Sequence, residues 1–243
     1  MKNKKDKISL FKQNNGPVIL LKECRGFSLI EILIALLLAS MLLTMVVSKP
    51  VTDRQFLERT IDKVERSIRF AVDEAALRNV ITRVHLKMQE EPQEIVVEFG
   101  PSDNFVLPPR GEESTVQSLA EEEEEQKQIE ELNSKFQKVN ELQDDKIEVD
   151  YSVRILGMAL PGQKELSSLQ SAAVYVYPSG EKDSAIIIFA TSEEVVSLEV
   201  GPFGPIFERQ YKLIEGEYDS QEELEERQFE IAKELFETWA KKF

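Results

Sequence analysis

One cysteine, one histidine and one tryptophan are all that 243 residues contain of these three types. The lone Cys24 excludes an intramolecular disulfide framework and any Cys-based zinc site. The lone His85 leaves few routes to His-dependent catalysis, and its place between Val84 and Leu86 in a strand-like run reads as structural. No phosphate-binding glycine loop, His-Glu-x-x-His motif, EF-hand loop or nucleophile elbow occurs, so neither enzymatic activity nor a cofactor is expected. Positive charge is also scarce, with 30 Lys and Arg against 45 Asp and Glu. The resulting net charge of −15 argues against a nucleic-acid binder that works by neutralising phosphates. A patch of Arg66, Arg69, Arg78 and Arg83 facing outward would be the exception. Asp144, Asp145, Glu148 and Asp150 could gather a calcium ion, but no matching loop surrounds them and no metal is expected.

The charge is unevenly distributed. Residues 1–26 carry seven Lys and Arg against two acidic residues, a balance of +5, and the rest of the chain sums to −20. Behind this basic block, Phe27 to Val47 is apolar except for Glu31. Twenty-one helical residues span roughly 30 Å, the thickness of a bilayer's hydrocarbon core. The segment is therefore expected to cross a membrane once, with residues 1–26 in the cytoplasm by the positive-inside rule. A cleaved secretory signal would want small residues at the far end of the run, where Met45-Val46-Val47-Ser48-Lys49-Pro50 stands instead. A plain signal anchor fits the hydropathy but leaves Glu31 unexplained. An ionisable group in a spanning helix costs roughly 2.5–3.5 kcal/mol on insertion scales, so it is a functional residue by default.

Arg25-Gly26-Phe27-Ser28-Leu29-Ile30-Glu31, followed by the apolar helix, resembles the processing site of type IV prepilins and type II secretion pseudopilins. The resemblance implies that a prepilin peptidase cuts after Gly26 and N-methylates Phe27. Glu31 would then stand at the fifth mature position, where that family has its hallmark glutamate. It further implies no catalytic residue, and a subunit that waits in the inner membrane of a Gram-negative bacterium with its C-terminal domain in the periplasm. Its partners would be membrane lipid, the inner-membrane assembly platform and other pseudopilins. In the assembled filament Glu31 would pair with the Phe27 ammonium of a neighbour. A buried pair of this kind is weak evidence for stability but suits the fixing of register. Cleavage would also remove Cys24, which suits an oxidising compartment.

After the span the pattern is that of an α+β protein. Pro50 is expected to end or kink the membrane helix. Leu57, Ile61, Val64, Ile68, Ala71 and Ala75 then recur at spacings of three and four, predicting an amphipathic helix over 51–80. Strand-like runs follow at Thr82–Met88, Glu94–Phe99, Lys146–Leu156, Ala173–Tyr177, Ala185–Ala190 and Val195–Val200. A long helix on an antiparallel sheet is also the plan that the pilin resemblance implies. Val174-Tyr175-Val176-Tyr177-Pro178-Ser179-Gly180, with Leu198-Glu199-Val200 running to a glycine turn, resembles the C-terminal pattern of the minor pseudopilin H and its type IV pilus relatives.

Two segments depart from that plan. Ile129, Leu132, Phe136, Val139 and Leu142 predict a helical insertion over about 112–145, with Glu121–Glu125 on its polar side. Ser220 with Glu223 forms a candidate capping box for a helix over 219–243. Its stripe of Phe229, Ala232, Phe236, Trp239 and Phe243 either covers the chain's own sheet or docks a partner, with Phe229, Phe236 and Trp239 as candidate anchors. The expected organisation is a leader (1–26), a membrane or filament-core helix (27–49), a periplasmic pilin-like domain (50–218) and a C-terminal helix. The function expected is that of a minor pseudopilin of a type II secretion system. A minor pilin of a type IV pilus and a signal-anchored periplasmic protein are the alternatives.

Overall fold

The computed structural model describes residues 29–47, 52–101, 105, 107, 119–139, 147–167, 172–216, 218 and 220–243. The chain divides into two units, Met1–Pro50 and Val51–Phe243. In the first, Leu29–Val47 is helical (α1). Among the described residues no helix is long and apolar enough to cross a membrane. As described, α1 has 19 residues, about 28 Å at 1.5 Å per residue, whereas the apolar run in the sequence begins at Phe27. Pro50 and its expected kink lie outside the described residues.

The second unit begins with α2, Asp53–Arg78. Its stripe of Leu57, Ile61, Val64, Ile68, Ala71 and Ala75 is fully buried, as the three-four spacing requires of a helix lying on a sheet. Asn79 ends the helix in the left-handed region at φ 56°, a conformation that Asn tolerates better than most residues. The chain then enters β1 (Thr82–Lys87) and β2 (Glu94–Phe99), an antiparallel hairpin. Helix α3, Leu119–Ser134, is inserted next, followed by the two-residue strands β3 (Gln137–Lys138) and β4 (Ile147–Glu148). The remaining elements are β5 (Arg154–Ala159), β6 (Ala173–Val176), β7 (Ala185–Ala190), β8 (Glu194–Val200), β9 (Phe207–Leu213) and α4 (Gln221–Ala240).

The strands form two antiparallel sheets, one ordered β3-β2-β1-β6 with β4 also on β2, the other β5-β7-β8-β9. Both lay one face against α2: Val84, Leu86, Ile95, Val97, Val174 and Val176 from the first, and Ile187, Phe189, Val196 and Leu198 from the second, join its stripe in one core. The opposite face of the second sheet, with Leu156, Ile186, Ile188 and Val195, is covered by Ile231, Ala232, Leu235, Phe236 and Trp239 of α4. Being covered on both sides explains why β7 reads Ala-Ile-Ile-Ile-Phe-Ala with no polar alternation. The architecture is α+β, with a helix packed on antiparallel sheets, an inserted acidic helix and a C-terminal helix.

Three expectations change. The single strand over Lys146–Leu156 is two strands in different sheets, separated by a turn at Tyr151 and Ser152. Gln93 holds the break: its amide accepts from Ile155 N at 2.7 Å and donates to the carbonyls of Met88 and Ile155. The insertion helix stops at Ser134, because Phe136 turns in to meet Phe105 and Tyr175 edge-on and Val139 joins the main core. Finally, β9 has no counterpart among the expected strands.

Candidate processing and assembly site

Gly26 and Phe27, where cleavage and methylation are expected, lie outside the described residues. Glu31 stands in the first turn of α1, where the partial positive charge of a helix N-terminus favours a carboxylate. It is exposed in the isolated subunit. So are Leu29, Ile30, Ile32, Leu33, Leu36 and Leu37, all at least half accessible. A helix apolar all round is stable only in lipid or among other apolar helices. With such a surround in place, Glu31 is the one side chain between Leu29 and Val47 that can carry charge.

The second unit supplies two charged assemblies that brace its helices. Arg83, on β1, is buried beneath the segment after α3. Its Nη2 lies 2.6 Å from Glu98 Oε2, its Nη1 donates to Asn133 Oδ1 at 2.8 Å and Tyr175 Oη at 3.2 Å, and its guanidinium sits 4.0 Å from the centre of the Phe136 ring. Burial works to raise the pKa of Glu98, but hydrogen bonds and charge from His85 and Arg83 outweigh it and hold the carboxyl below its ordinary value. His85 is packed beside it, Nδ1 3.4 Å from Glu98 Oε2, a structural position. The four arginines that could have made one basic surface do not, since Arg83 is buried and Arg78 is paired with Glu74.

Arg209, on β9, is the second brace. Its guanidinium donates to Glu58 (2.8 Å), Asp62 (2.7 Å) and Glu65 (2.6 Å) on successive turns of α2. Tyr211, two residues on and on the same side of the strand, donates to the other oxygen of Glu58. Nothing in the hydrophobic pattern marks Arg209. A signal was available in the acidic 58-62-65 spacing on α2, which asks for a cation from elsewhere in the fold.

Of the three candidate docking anchors, Phe236 and Trp239 are turned onto the chain's own second sheet and are buried there. Phe229 remains 45 % exposed. Helix α4 is capped as its sequence suggests, with Ser220 Oγ accepting from Glu223 N at 3.2 Å.

Residues 21–47 match the family model described as the prokaryotic N-terminal methylation motif. No curated protein matches the sequence. Two solved structures of the minor pseudopilin EpsH from the type II secretion system of Vibrio cholerae are similar to the chain. One has 10 % identity and a TM-score of 0.38, covering 69 % of this chain and all of its own. The other has 11 % identity and a TM-score of 0.37, covering 68 % and 99 % respectively.

Proposed function

We propose that the chain is a minor pseudopilin, a non-catalytic structural subunit of the periplasmic pseudopilus of a type II secretion system. The observation that carries this reading is the methylation motif over residues 21–47, which contains Gly26, Phe27 and Glu31 in the spacing that processing requires. Prepilin peptidase removes residues 1–26 at the cytoplasmic face and methylates Phe27. The mature subunit stays in the inner membrane through residues 27–49, with the domain over 50–218 and the C-terminal helix in the periplasm. On assembly, the exposed apolar surface of α1 exchanges lipid for the helices of other pseudopilins, and Glu31 seeks the nearest available cation, a neighbour's Phe27 ammonium. The pattern Val174 to Gly180 supports an H-like subunit, and the loss of Cys24 with the leader supports a secretion subunit over a pilus subunit closed by a disulfide.

The test is N-terminal mass spectrometry of the chain from peptidase-positive and peptidase-negative cells. N-methyl-Phe27 is expected in the first and an intact leader in the second. An intact leader in both overturns the reading. Gly26→Ala should block cleavage and leave insertion unchanged. Deleting the gene should stop secretion of the system's folded cargo. A deletion that instead abolishes pili and leaves secretion intact assigns the subunit to a type IV pilus.

A further inference from the structure

An open groove of about 1040 Å³ lies in the second unit, and neither processing nor filament assembly uses it. One wall is the first two turns of α4. The other is the loop between β1 and β2 together with the turn at Tyr151, and the floor is β5. Its volume is at the top of the small-molecule range and it is open along its length, which fits a chain segment better than a metabolite. The groove is preformed. Gln93 ties the β1–β2 loop to β5 through two hydrogen bonds with Ile155 and closes the loop on Met88 O with a third, and Gln228 Nε2 anchors α4 to Thr191 O at 2.9 Å. Walls already in place reduce the ordering cost of binding.

Its chemistry is specific. Tyr151, 93 % exposed with its ring 6.1 Å from that of Phe56, and Phe229, 45 % exposed on α4, both line it and give two accessible aromatic surfaces. Asp53, Glu90, Glu91, Asp150 and Glu225 line it against the single cation Arg154. Lys87, just outside, pairs with Glu90 at 2.9 Å, and Arg154 pairs with Glu225 at 2.9 Å. Counting both cations, a surplus of three negative charges remains. Those pairings also hold Glu90 and Glu225 below the ordinary carboxylate pKa, so both are ionised at neutral pH.

We propose that this groove docks a cationic segment of a partner protein, one carrying Lys or Arg beside a large apolar side chain. Charge complementarity selects that occupant. A second copy is disfavoured because the chain beyond residue 26 carries −20, and an anionic lipid surface is disfavoured for the same reason. The inference is independent of how the N-terminus is processed, since every lining residue belongs to the second unit.

The test uses the full-length chain in nonionic detergent and a fluorescein-labelled dodecapeptide with alternating Lys or Arg and two Trp, read by fluorescence anisotropy. Glu91→Lys and Tyr151→Ala should each weaken binding at least about fivefold. Glu226→Lys and Glu237→Lys, the same charge change on the exposed side of α4 away from the groove, should stay within about twofold of the parent. Trp239 emission checks that each variant is folded. Equal losses in the α4 controls reduce the binding to general charge attraction and overturn the proposal, as does unchanged binding in Glu91→Lys and Tyr151→Ala. Sedimentation of the free chain covers the remaining occupant: a dimer that both groove variants abolish makes the occupant a second copy, and the proposal fails.

Discussion

Arg83 Nη2 and Glu98 Oε2 lie 2.6 Å apart on neighbouring strands, in a layer from which water is nearly excluded. Directly opposite each other in the β1–β2 register, they form a buried ion pair that also reaches into the insertion, through Asn133. Removing one member of such a pair leaves an uncompensated charge. Arg83→Met should therefore destabilise the second unit by about 3–5 kcal/mol. A lower urea midpoint with an unchanged slope is the expected result. The double variant Arg83→Met with Glu98→Leu should recover most of the loss, because two apolar groups leave no orphan charge.

Glu194 makes the opposite case. It is buried at the start of β8, its Oε1 3.9 Å from exposed Arg54 and its Oε2 without a hydrogen-bond partner. Burial pushes its pKa up, only partly offset by Arg54 and reinforced by Glu58 and Glu193. A carboxyl whose folded pKa is raised gives full stability below its unfolded pKa and loses it as pH rises through the folded value. Glu194→Gln should thus raise stability at pH 7.5, by about 1 kcal/mol. The gain should shrink as denaturation is repeated toward pH 4.

Trp239 is the only tryptophan, and it is buried between α4 and the second sheet, stacked beside Phe236 and Phe243. Its emission is accordingly a direct report on α4 docking. It should be blue-shifted in the native chain and move to the red when the helix comes away. Trp239→Ala should cost about 3–5 kcal/mol, measured by circular dichroism since the fluorophore is lost.

Glu31→Ala tests assembly apart from processing. The variant should insert and be cut after Gly26 as before, because an apolar substitution eases entry into lipid. Under the proposed function it should be recovered poorly in sheared filaments, because the charge that would fix register is gone. Normal incorporation would remove Glu31 from the assembly reading.

Local periodicity carried much of the fold. The α2 stripe, β1, β2, β6 and β7 stand within a residue or so of where the sequence puts them, because each signal is local: a three-four stripe in α2, and short runs of apolar and β-branched residues in the strands. The failures share a different cause. Strand β9 reads Phe-Glu-Arg-Gln-Tyr-Lys-Leu, too charged for a strand by hydropathy. Its charges are matched by α2, some 150 residues earlier, by α4, where Lys212 meets Glu234, and by Lys242, which meets Glu208. Phe136 and Val139 kept helical spacing with Leu132, yet leave the helix for partners on other elements. At the N-terminus the methylation motif was legible because it resides in consecutive residues, within 21–47. The groove was not, since its lining comes from five stretches of chain that only folding brings together.

The brace at Arg209 bears on how the domain carries load. Glu58, Asp62 and Glu65 span eight residues of α2, about 10 Å of helix axis, yet all three close on a single side chain of β9. Tension entering the second unit at its N-terminal end would run along α2 and load these contacts in shear, so they would have to yield together instead of peeling one by one. The last strand of the second sheet is in this sense a mechanical stop for the helix.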